Sequence, residues 1–406
     1  MKTPIVIQKS TQPSIETLPF ELVERKGLGH PDSLCDGIAE TISQRYSKYC
    51  KRNFGLILHH NFDKVQLVAG ISNAKFGGGS VKRPITIQIA GRGTSEFQQD
   101  EIPIDTIAKG STEEHLKRTL RYFKRENFAI ESYIGRGSAD LTQLYSRSQV
   151  KGKTPNSNDS SFGFSHWPLS TLEKAVLLSE QYISNNLRSK LRSIGEDVKV
   201  LGERRRKTID VTVAVATVDQ EIANLKEYVD LKETIKGSLE DYLEGFLLGR
   251  KINVDINCAD DYQAESVYIT VTGTSAENGD DGAVGRGNRL NGLITPFRGM
   301  SLEAYAGKNP VSHVGKIYNV LALVTAKQIV AQNSDVSECS VLYSSKIGDY
   351  VDKPRNVCVT IRLKENGNDR RVRKSVREIV IEELNSISDL TAELIERDLN
   401  HWFAEW

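Results

Sequence analysis

Residues 208–217 read TIDVTVAVAT, a run in which small or polar side chains alternate with isoleucine and valine. This period of two predicts a strand with one buried face. Residues 267–274 (VYITVTGT) show a similar alternation, and residues 231–248 between the two runs have a helical pattern that stops before Gly249. Strand-like and helix-like segments alternate in this way along the chain. This predicts an α/β (α+β) fold in which several small sheets are covered by helices.

Helix signals support this interpretation elsewhere in the chain. Leu34, Ile38 and Ile42 recur every four residues, which places them on one helical face. The segment STLE at residues 170–173 has the pattern of a capping box and predicts a helix that begins there. Residues 373–403 predict one or two amphipathic helices.

The charge of the chain is nearly balanced: its 406 residues include 54 Lys and Arg against 53 Asp and Glu, a formal net charge of +1. This balance disfavours nucleic acid or an anionic membrane surface as a partner. The five cysteines are scattered, which predicts reduced core residues rather than disulfides or a zinc site. No stretch approaches the roughly 18 apolar residues of a membrane span, and the first residues lack the apolar run of a signal peptide. We therefore expect a cytoplasmic protein.

The segment ERKGLGHPDS at residues 24–33 is the first candidate for chemistry. Its glycines permit a tight turn, and Pro31 suits the first position of the helix that follows. His30 and Asp32 then lie at a helix N-terminus, where free N–H groups favour an anion such as phosphate. The histidine can add a donor, and the aspartate can hold Mg²⁺ that bridges phosphate oxygens. An ordinary capped helix explains the same spacing equally well.

A loop rich in glycine and acidic residues follows the second predicted strand. It reads NGDDGAVGRGNRLNG over residues 278–292, with Asp280 and Asp281 adjacent and with Arg286 and Arg289 close behind. Ligand sites of α/β sheets usually lie beyond the carboxyl ends of strands, and arginine offers paired donors to phosphate. A solvated turn rarely needs so many glycines, so the pattern favours a functional loop.

Four further motifs are weaker signals. GRGSADL at residues 135–141 fits a phosphate-cradling turn and a plain turn equally well. Asp159 ends an irregular polar stretch, where a solvent-facing role is more common than a ligand role. The HH pair at residues 59–60 would point to opposite faces of an extended chain, which favours a structural role over a metal site. Lys308 and Lys316 frame an expected helix start, although a lysine taken alone is usually solvated.

Together these segments resemble the archaeal-type S-adenosylmethionine synthetases, also called methionine adenosyltransferases. The resemblance covers about residues 20–320 and rests on six segments in family order: ERKGLGHPDSLCDGIAE, LHHNFDKV, GRGSADL, NDSSFGFSHWPLS, GDDGAVGRGNRLNGLITP and GKNPVSHVGKIYN. It implies three interleaved domains of similar topology, each a small mixed sheet covered by helices. It also implies ATP and L-methionine as substrates, Mg²⁺ and K⁺ as cofactors, and a homodimer with active sites at the subunit interface.

The resemblance also implies roles for single residues. His30 matches the histidine that faces the departing triphosphate, Arg286 and Lys308 match cations on the polyphosphate, and Asp32 matches a magnesium ligand. Asp280 matches an aspartate that touches the amino group of methionine and the nucleotide, and Asp159 falls near the nucleoside. The nucleotide loop comprises Gly135, Arg136, Gly137, Ser138, Ala139, Asp140 and Leu141.

Two positions depart from the bacterial type of the family. Bacterial enzymes have a lysine where this chain has Gly287, and Arg289 is our candidate to supply that charge. Their second magnesium-binding aspartate would fall near Val314, so Asp281 is our candidate for the second metal ligand.

The implied reaction joins the sulfur of methionine to the 5′-carbon of ATP, releases the whole triphosphate and hydrolyses it to phosphate and pyrophosphate. A methionine-independent ATP or tripolyphosphate hydrolase would carry the same anion-binding residues, and a non-catalytic regulatory homologue is a third hypothesis. We expect an N-terminal region (1–150) with the HPD motif and the nucleotide loop, a central domain (151–275) and a C-terminal region (276–406) with the Gly/Asp-rich loop. Segments of these regions should interleave in space.

Overall fold

The computed structural model describes residues 3–137 and 154–397. Its helices are α1 (Pro31–Phe54), α2 (Ile104–Thr119), α3 (Thr171–Gln181), α4 (Leu225–Phe246), α5 (Val314–Gln332), α6 (Asp369–Asn385) and α7 (Ile387–Glu396). A π-helical segment (Tyr182–Leu187) and a short helical segment (Arg188–Lys190) extend α3. Its strands are β1 (Ile5–Lys9), β2 (Phe20–Lys26), β3 (His60–Val68), β4 (Ile71–Asn73), β5 (Ser80–Arg83), β6 (Ile85–Gly93), β7 (Glu96–Phe97), β8 (Asp100–Glu101), β9 (Phe128–Arg136), β10 (Phe162–Trp167), β11 (Ile194–Arg205), β12 (Thr208–Val218), β13 (Lys251–Ile256), β14 (Ile269–Thr270), β15 (Gly282–Ala283), β16 (Val336–Ser344) and β17 (Asn356–Leu363).

Three sheets of the same design form the frame of the molecule. The N-terminal sheet has the order β15-β3-β6-β9, the central sheet β2-β11-β12-β13 and the C-terminal sheet β10-β16-β17-β1. In each sheet the first two pairings are antiparallel and the last is parallel. The prediction of an α/β fold built from small mixed sheets with similar topology is therefore confirmed.

The sheets are interleaved because each of three helices is preceded by a strand that joins a neighbouring sheet. The strand β2 leads into α1 but pairs in the central sheet, and β10 leads into α3 but pairs in the C-terminal sheet. The strand β15 precedes α5 but pairs in the N-terminal sheet. The exchange is cyclic, so each sheet contains a strand from outside its own stretch of chain.

The hydrophobic residues form two cores. The central sheet packs with α3 and α4 around one cluster, whereas the N-terminal and C-terminal sheets share a second cluster through α1 and α5. Leu34, Ile38 and Ile42, predicted to share a helical face, are fully buried in that shared core. The N-terminus of α1 therefore lies where strands and loops from distant parts of the chain meet.

Several sequence predictions match the elements closely. The run at residues 208–217 forms β12, and the capping box at Ser170 is present at the start of α3. The amphipathic segment predicted from residue 373 forms two helices, α6 and α7, of which the first begins four residues earlier, at Asp369. The helix expected from residue 231 begins earlier, at Leu225, because Asn224 caps it by accepting a hydrogen bond from the Glu227 N–H.

The strand predicted over residues 267–274 is wrong in length, since only Ile269–Thr270 forms β14. The buried carboxylate of Glu277 accepts hydrogen bonds from the N–H groups of Val271 at 2.7 Å and Thr272 at 2.6 Å. These two donors are therefore not available to a neighbouring strand, and the chain bends before the Gly/Asp-rich loop.

The helix α5 is long and apolar enough to cross a membrane by length and composition, contrary to the expectation from sequence. Because 72% of its apolar window is buried inside the protein, it has the character of a core helix. Of the five cysteines, all free thiols, Cys35, Cys50 and Cys339 are buried as predicted, whereas Cys258 is exposed.

Candidate active site

The turn from β2 into α1 forms the first part of the site. Gly27 and Gly29 are needed in this turn because a Cβ atom at either position would lie 2.8 Å or less from the backbone of β11. His30 caps α1, and its Nδ1 accepts a hydrogen bond from the Asp32 N–H at 3.2 Å. Burial lowers the pKa of His30, although the nearby Asp197 carboxylate raises it. A neutral imidazole whose Nδ1 is an acceptor carries its hydrogen on Nε2, which leaves Nε2 as a donor.

Three buried carboxylates follow one another at four-residue intervals on α1, at Asp32, Asp36 and Glu40. Each accepts a backbone N–H from the glycine-rich chain that precedes α5. The pairs are Ala283 N to Asp32 Oδ1 at 2.9 Å, Gly285 N to Asp36 Oδ1 at 2.9 Å and Gly307 N to Glu40 Oε2 at 3.0 Å. This acidic stripe of α1 therefore holds two separate loops against the helix.

Ammonium groups neutralise two members of the acidic stripe. Lys26 Nζ lies 2.8 Å from Asp32 Oδ2, and Lys316 Nζ lies 2.7 and 2.6 Å from the two oxygens of Glu40. Burial lowers the pKa of Lys316, although Glu40 raises it. Burial also raises the pKa of Asp36 to about 7. The stripe thus contains two ion pairs and one carboxyl group that titrates near neutrality.

Lys308 is buried rather than solvated. Its ammonium forms ion pairs with Asp63 and, at 3.2 Å, with Glu303. Burial raises the pKa of Asp63, but the adjacent Lys308 outweighs this effect and leaves the pKa below its usual value. The Lys308 carbonyl oxygen accepts a hydrogen bond from Ser43 Oγ at 3.1 Å, and His60 Nε2 lies 2.8 Å from the same hydroxyl. Lys308 is therefore held at both its side chain and its backbone.

The two adjacent acids of the Gly/Asp-rich loop face different partners. The side chain of Asp280 is 51% exposed, and its Oδ2 lies 3.9 Å from His30 Nε2 and 3.0 Å from Ser275 Oγ. Asp281 Oδ1 instead accepts a hydrogen bond from the Ala69 N–H at 2.8 Å, which ties the loop to the end of β3. Asp280 is thus next to the cap of α1, whereas Asp281 is engaged in attaching the loop.

The two arginines of this loop also differ. Arg286 is exposed, and its carbonyl oxygen accepts a hydrogen bond from Lys26 Nζ at 3.0 Å. Arg289 Nη1 donates to the Gly285 carbonyl oxygen at 3.3 Å, while its buried Nε has no hydrogen-bond partner. Arg289 stays our candidate for the charge that Gly287 lacks, and Lys26 brings a second cation within one residue of that position.

The side chains described so far around α1 are called the α1 cluster; they are Lys26, His30, Asp32, Asp36, Glu40, Asp63, Asp280, Lys308 and Lys316. The first part of the predicted nucleotide loop lies far from the α1 cluster within the same chain. Gly135 and Arg136 end β9, which is separated from β15 by β3 and β6. Three strand spacings amount to about 14 Å. The Arg136 side chain is exposed and lies 4.0 Å from Glu96, and Gly137 is the last residue described before the gap. Ser138, Ala139, Asp140 and Leu141 lie outside the described residues.

Asp159 is half-buried and contacts the loop after β16 through its carbonyl oxygen, which accepts a hydrogen bond from Ser345 Oγ at 2.8 Å. Two residues later, Ser161 Oγ donates to Glu303 Oε1 at 2.8 Å. Because Glu303 also pairs with Lys308, the segment that carries Asp159 is connected to the cluster.

Sequence reasoning missed Lys26, Asp36, Glu40 and Asp63 as members of this cluster, and it named Lys316 only as framing a helix start. A signal was present for two of them, because acids recur at residues 32, 36 and 40 with the same period as the apolar face of α1. Acidic residues on the face opposite an apolar stripe usually indicate solvent. Here that face is covered by loops from residues 283–307.

The family model of S-adenosylmethionine synthetase (AdoMet synthetase) matches residues 3–398, nearly the whole chain. The chain belongs to the S-adenosylmethionine synthetase family. The S-adenosylmethionine synthase of Methanocaldococcus jannaschii is 44% identical over 400 residues, which cover 97% of this chain and 98% of that protein. The S-adenosylmethionine synthase of Pyrococcus furiosus is 43% identical over 394 residues, which cover 97% of this chain and 98% of that protein.

A bacterial relative agrees with this assignment to the S-adenosylmethionine synthetases, and a solved structure shares the fold. The probable S-adenosylmethionine synthase of Aquifex aeolicus is 42% identical over 400 residues, with 98% of this chain and 99% of that protein covered. The structure described as an unusual S-adenosylmethionine synthetase from Campylobacter jejuni has a TM-score of 0.59 at 16% identity and covers 94% of each chain. At that identity the likeness shows the fold alone.

These relationships confirm the archaeal-type synthetase predicted from the six sequence segments. The chain is a methionine adenosyltransferase, which forms S-adenosylmethionine from ATP and L-methionine. They do not favour the methionine-independent hydrolase or the regulatory homologue.

Proposed function

We propose that the triphosphate of ATP binds at the N-terminus of α1 and leaves towards His30, Lys308 and Arg286. The placement of His30 carries this proposal: its Nδ1 is used by the helix cap, its pKa is lowered by burial, and its Nε2–H is left as a donor. Free N–H groups at the start of a helix add to the attraction for an anion. The Lys26 ammonium, 2.8 Å from Asp32 Oδ2, adds a positive charge at the same end of α1.

The proposed chemistry needs placement and electrostatics rather than a base. The methionine sulfur has no proton to lose when it attacks the 5′-carbon in line, so the work is to align two reactants and to stabilise an anionic leaving group. One cation about 4 Å from a developing unit charge contributes about 4 kcal/mol at an effective dielectric constant near 20. Lys308 is already fixed by Asp63 and Glu303, so it needs little reorganisation to act in this way. The released triphosphate is then hydrolysed to phosphate and pyrophosphate.

We assign the α-ammonium group of methionine to Asp280. Among the described residues, no lysine or arginine forms an ion pair with this carboxylate, and the nearby His30 has a lowered pKa. The half-exposed carboxylate, in contact with the Ser275 hydroxyl, is therefore accessible to an incoming cation. Nucleoside contacts are assigned to Asp159 and to residues 135–141.

The proposed Mg²⁺ would be held by Asp32. Among residues 3–137 and 154–397, no group of three or more His, Cys, Asp or Glu side chains is arranged to hold a metal. Mg²⁺ usually takes one or two carboxylates and completes its shell with water and substrate phosphates, so Asp32 would supply one ligand in exchange for the Lys26 ammonium that pairs with its Oδ2. Bound there, Mg²⁺ would neutralise phosphate charge. Asp281 stays the candidate ligand for a second metal ion. We propose K⁺ as a further cofactor because the family resemblance implies it.

We also propose a homodimer in which each active site takes residues from both subunits. The observation in favour is the distance between the start of the nucleotide loop and the α1 cluster, at opposite edges of one sheet. Exposed aromatic and apolar side chains such as Tyr133 on β9 and Val6 on β1 provide surface for a second copy. A cytoplasmic location without nucleic acid or membrane partners completes the proposal.

The role of His30 can be separated from its role as a helix cap. His30→Asn keeps a side-chain oxygen that caps α1 well but removes the Nε2–H. We expect kcat to fall about 100-fold to 1,000-fold, as when a donor to a developing anion is removed, with the melting temperature nearly unchanged. His30→Ala should lose the same turnover and also about 1 kcal/mol of stability. A His30→Asn enzyme with near-normal kcat would refute the assignment.

A further inference from the structure

Ser275 lies between two carboxylates at the edge of the α1 cluster. Its Oγ is 2.6 Å from Asp197 Oδ2 and 3.0 Å from Asp280 Oδ2. Neither Ser275 nor Asp197 belongs to a segment that the sequence singled out. The two carboxylates are unlike each other, because Asp197 is 2% exposed whereas the side chain of Asp280 is 51% exposed.

The buried carboxylate fixes the position of Ser275. Asp197 Oδ2 accepts hydrogen bonds from the Ser275 N–H at 3.0 Å and from the Tyr268 hydroxyl at 3.2 Å, in addition to the Ser275 hydroxyl. Asp197 itself is anchored because its N–H donates to the Gly273 carbonyl oxygen at 3.0 Å. Ser275 is thus held at its backbone and its side chain against a group that cannot move into solvent.

A serine hydroxyl has one hydrogen, so it can donate to only one of the two carboxylates at a time. When the hydrogen points to Asp280, it holds that half-exposed carboxylate 3.0 Å from Ser275 and near His30. When a cation binds Asp280, the hydrogen can turn to Asp197, which already accepts two other donors. The shorter of the two contacts is the one with Asp197, and a hydroxyl that can turn between the two carboxylates can hold Asp280 before a cation binds and release it afterwards.

We propose that Ser275, anchored on Asp197, is a positioning residue that holds Asp280 ready for the α-ammonium group of methionine. This inference rests on the proposed role of Asp280. Without the Ser275 hydroxyl, the exposed carboxylate would have to be ordered at the moment of binding, which lowers affinity for the amino acid. The proposed nucleoside contacts are at Asp159 and residues 135–141, so the loss should fall mainly on methionine.

The test compares Ser275→Ala, Ser275→Thr and the surface control Ser189→Ala in steady-state kinetics with ATP and methionine. We expect Ser275→Ala to raise the KM for methionine about tenfold, the loss of about 1.4 kcal/mol, with a much smaller change in kcat and in the KM for ATP. Ser275→Thr, which keeps the hydroxyl, should restore most of the methionine affinity. Ser189→Ala should behave as the unmodified enzyme. Equal losses for both substrates, or no rescue by threonine, would overturn the inference.

Asp280→Asn, alone and combined with Ser275→Ala, separates this inference from the proposed function. If Asp280→Asn leaves the KM for methionine unchanged, the ammonium role of Asp280 fails. If it raises that KM but Ser275→Ala does not, only the role of Ser275 fails. If both hold, adding Ser275→Ala to Asp280→Asn should cause little further loss, because residues that act through one contact are not additive. Full additivity would contradict the inference.

Discussion

His60 has no exposed surface, and both ring nitrogens have partners: Nε2 lies 2.8 Å from Ser43 Oγ, and Nδ1 lies 3.0 Å from the Leu58 carbonyl oxygen and 3.2 Å from Asn309 Nδ2. Ser43 Oγ also lies 3.1 Å from the Lys308 carbonyl oxygen. The histidine pair that the sequence pattern assigned to a structural role therefore includes a residue that holds the backbone of Lys308.

Replacement of His60 should change how stability depends on pH. Burial lowers the pKa of His60 to about 3, so the folded protein resists a proton that the unfolded chain binds below about pH 6.5. The stability that the neutral, buried His60 ring contributes is therefore fully present above pH 6.5. It is lost as the pH falls towards 3, at up to about 1.4 kcal/mol per pH unit. We expect His60→Gln to be less stable than the unmodified protein at pH 7.5, with a gap that narrows by pH 5. Urea unfolding at several pH values measures the gap, and a gap independent of pH would contradict the account.

At the scale of elements, α1 shows what the sequence could and could not predict. The apolar face at Leu34, Ile38 and Ile42 follows from its spacing, and the glycines and proline predict the turn and the helix start. The acidic stripe could not be recognised as buried, because its covering loops and the Lys316 ammonium lie at residues 283–316, about 250 positions away in the chain. Local periodicity states which residues share a face, and only tertiary contacts decide what covers it.

The Glu40–Lys316 pair tests whether the acidic stripe is structural. Glu40→Gln keeps an acceptor for the Gly307 N–H but leaves the buried Lys316 ammonium without its counter-charge. Breaking a buried pair in this way costs about 3–5 kcal/mol. Chemical denaturation should show this loss, and Lys316→Met in the same protein should recover much of it.

The exposed pair of Glu396 and Lys48 supplies a matched control for this experiment. Glu396→Gln should change the free energy of unfolding by about 0–1 kcal/mol, as is usual for surface ion pairs. Similar losses at the buried and exposed pairs would show that burial of Glu40 does not determine the cost.

At the scale of the whole molecule, the cyclic exchange of β2, β10 and β15 ties the three sheets into one frame. Alternation predicted strands such as β12, but it contains no information about which strands pair across the chain. The sequence resemblance supplied the expectation of interleaved domains with similar topology, and the common pairing order of the three sheets confirms it. The linear division at residues 150 and 275 stays a prediction, since each sheet borrows a strand from another region.

The proposed sharing of active sites between subunits predicts complementation between two inactive variants. His30→Ala and Asp140→Ala change residues assigned to the two parts of one site. If these parts come from different subunits, a mixed dimer contains one site with both residues intact and one with both changed. Unfolding and refolding an equal mixture should then restore activity that neither variant has alone. No recovery, despite formation of mixed dimers by mass spectrometry, would place both residues in the same subunit's site.

The most direct test of the central claim is mass spectrometry of a reaction that contains the purified protein, ATP, methyl-¹³C-labelled methionine, Mg²⁺ and K⁺. The account predicts labelled S-adenosylmethionine together with phosphate and pyrophosphate, and no labelled product when either ATP or methionine is omitted. Release of phosphate from ATP at the same rate with and without methionine, and without a labelled sulfonium product, would contradict it.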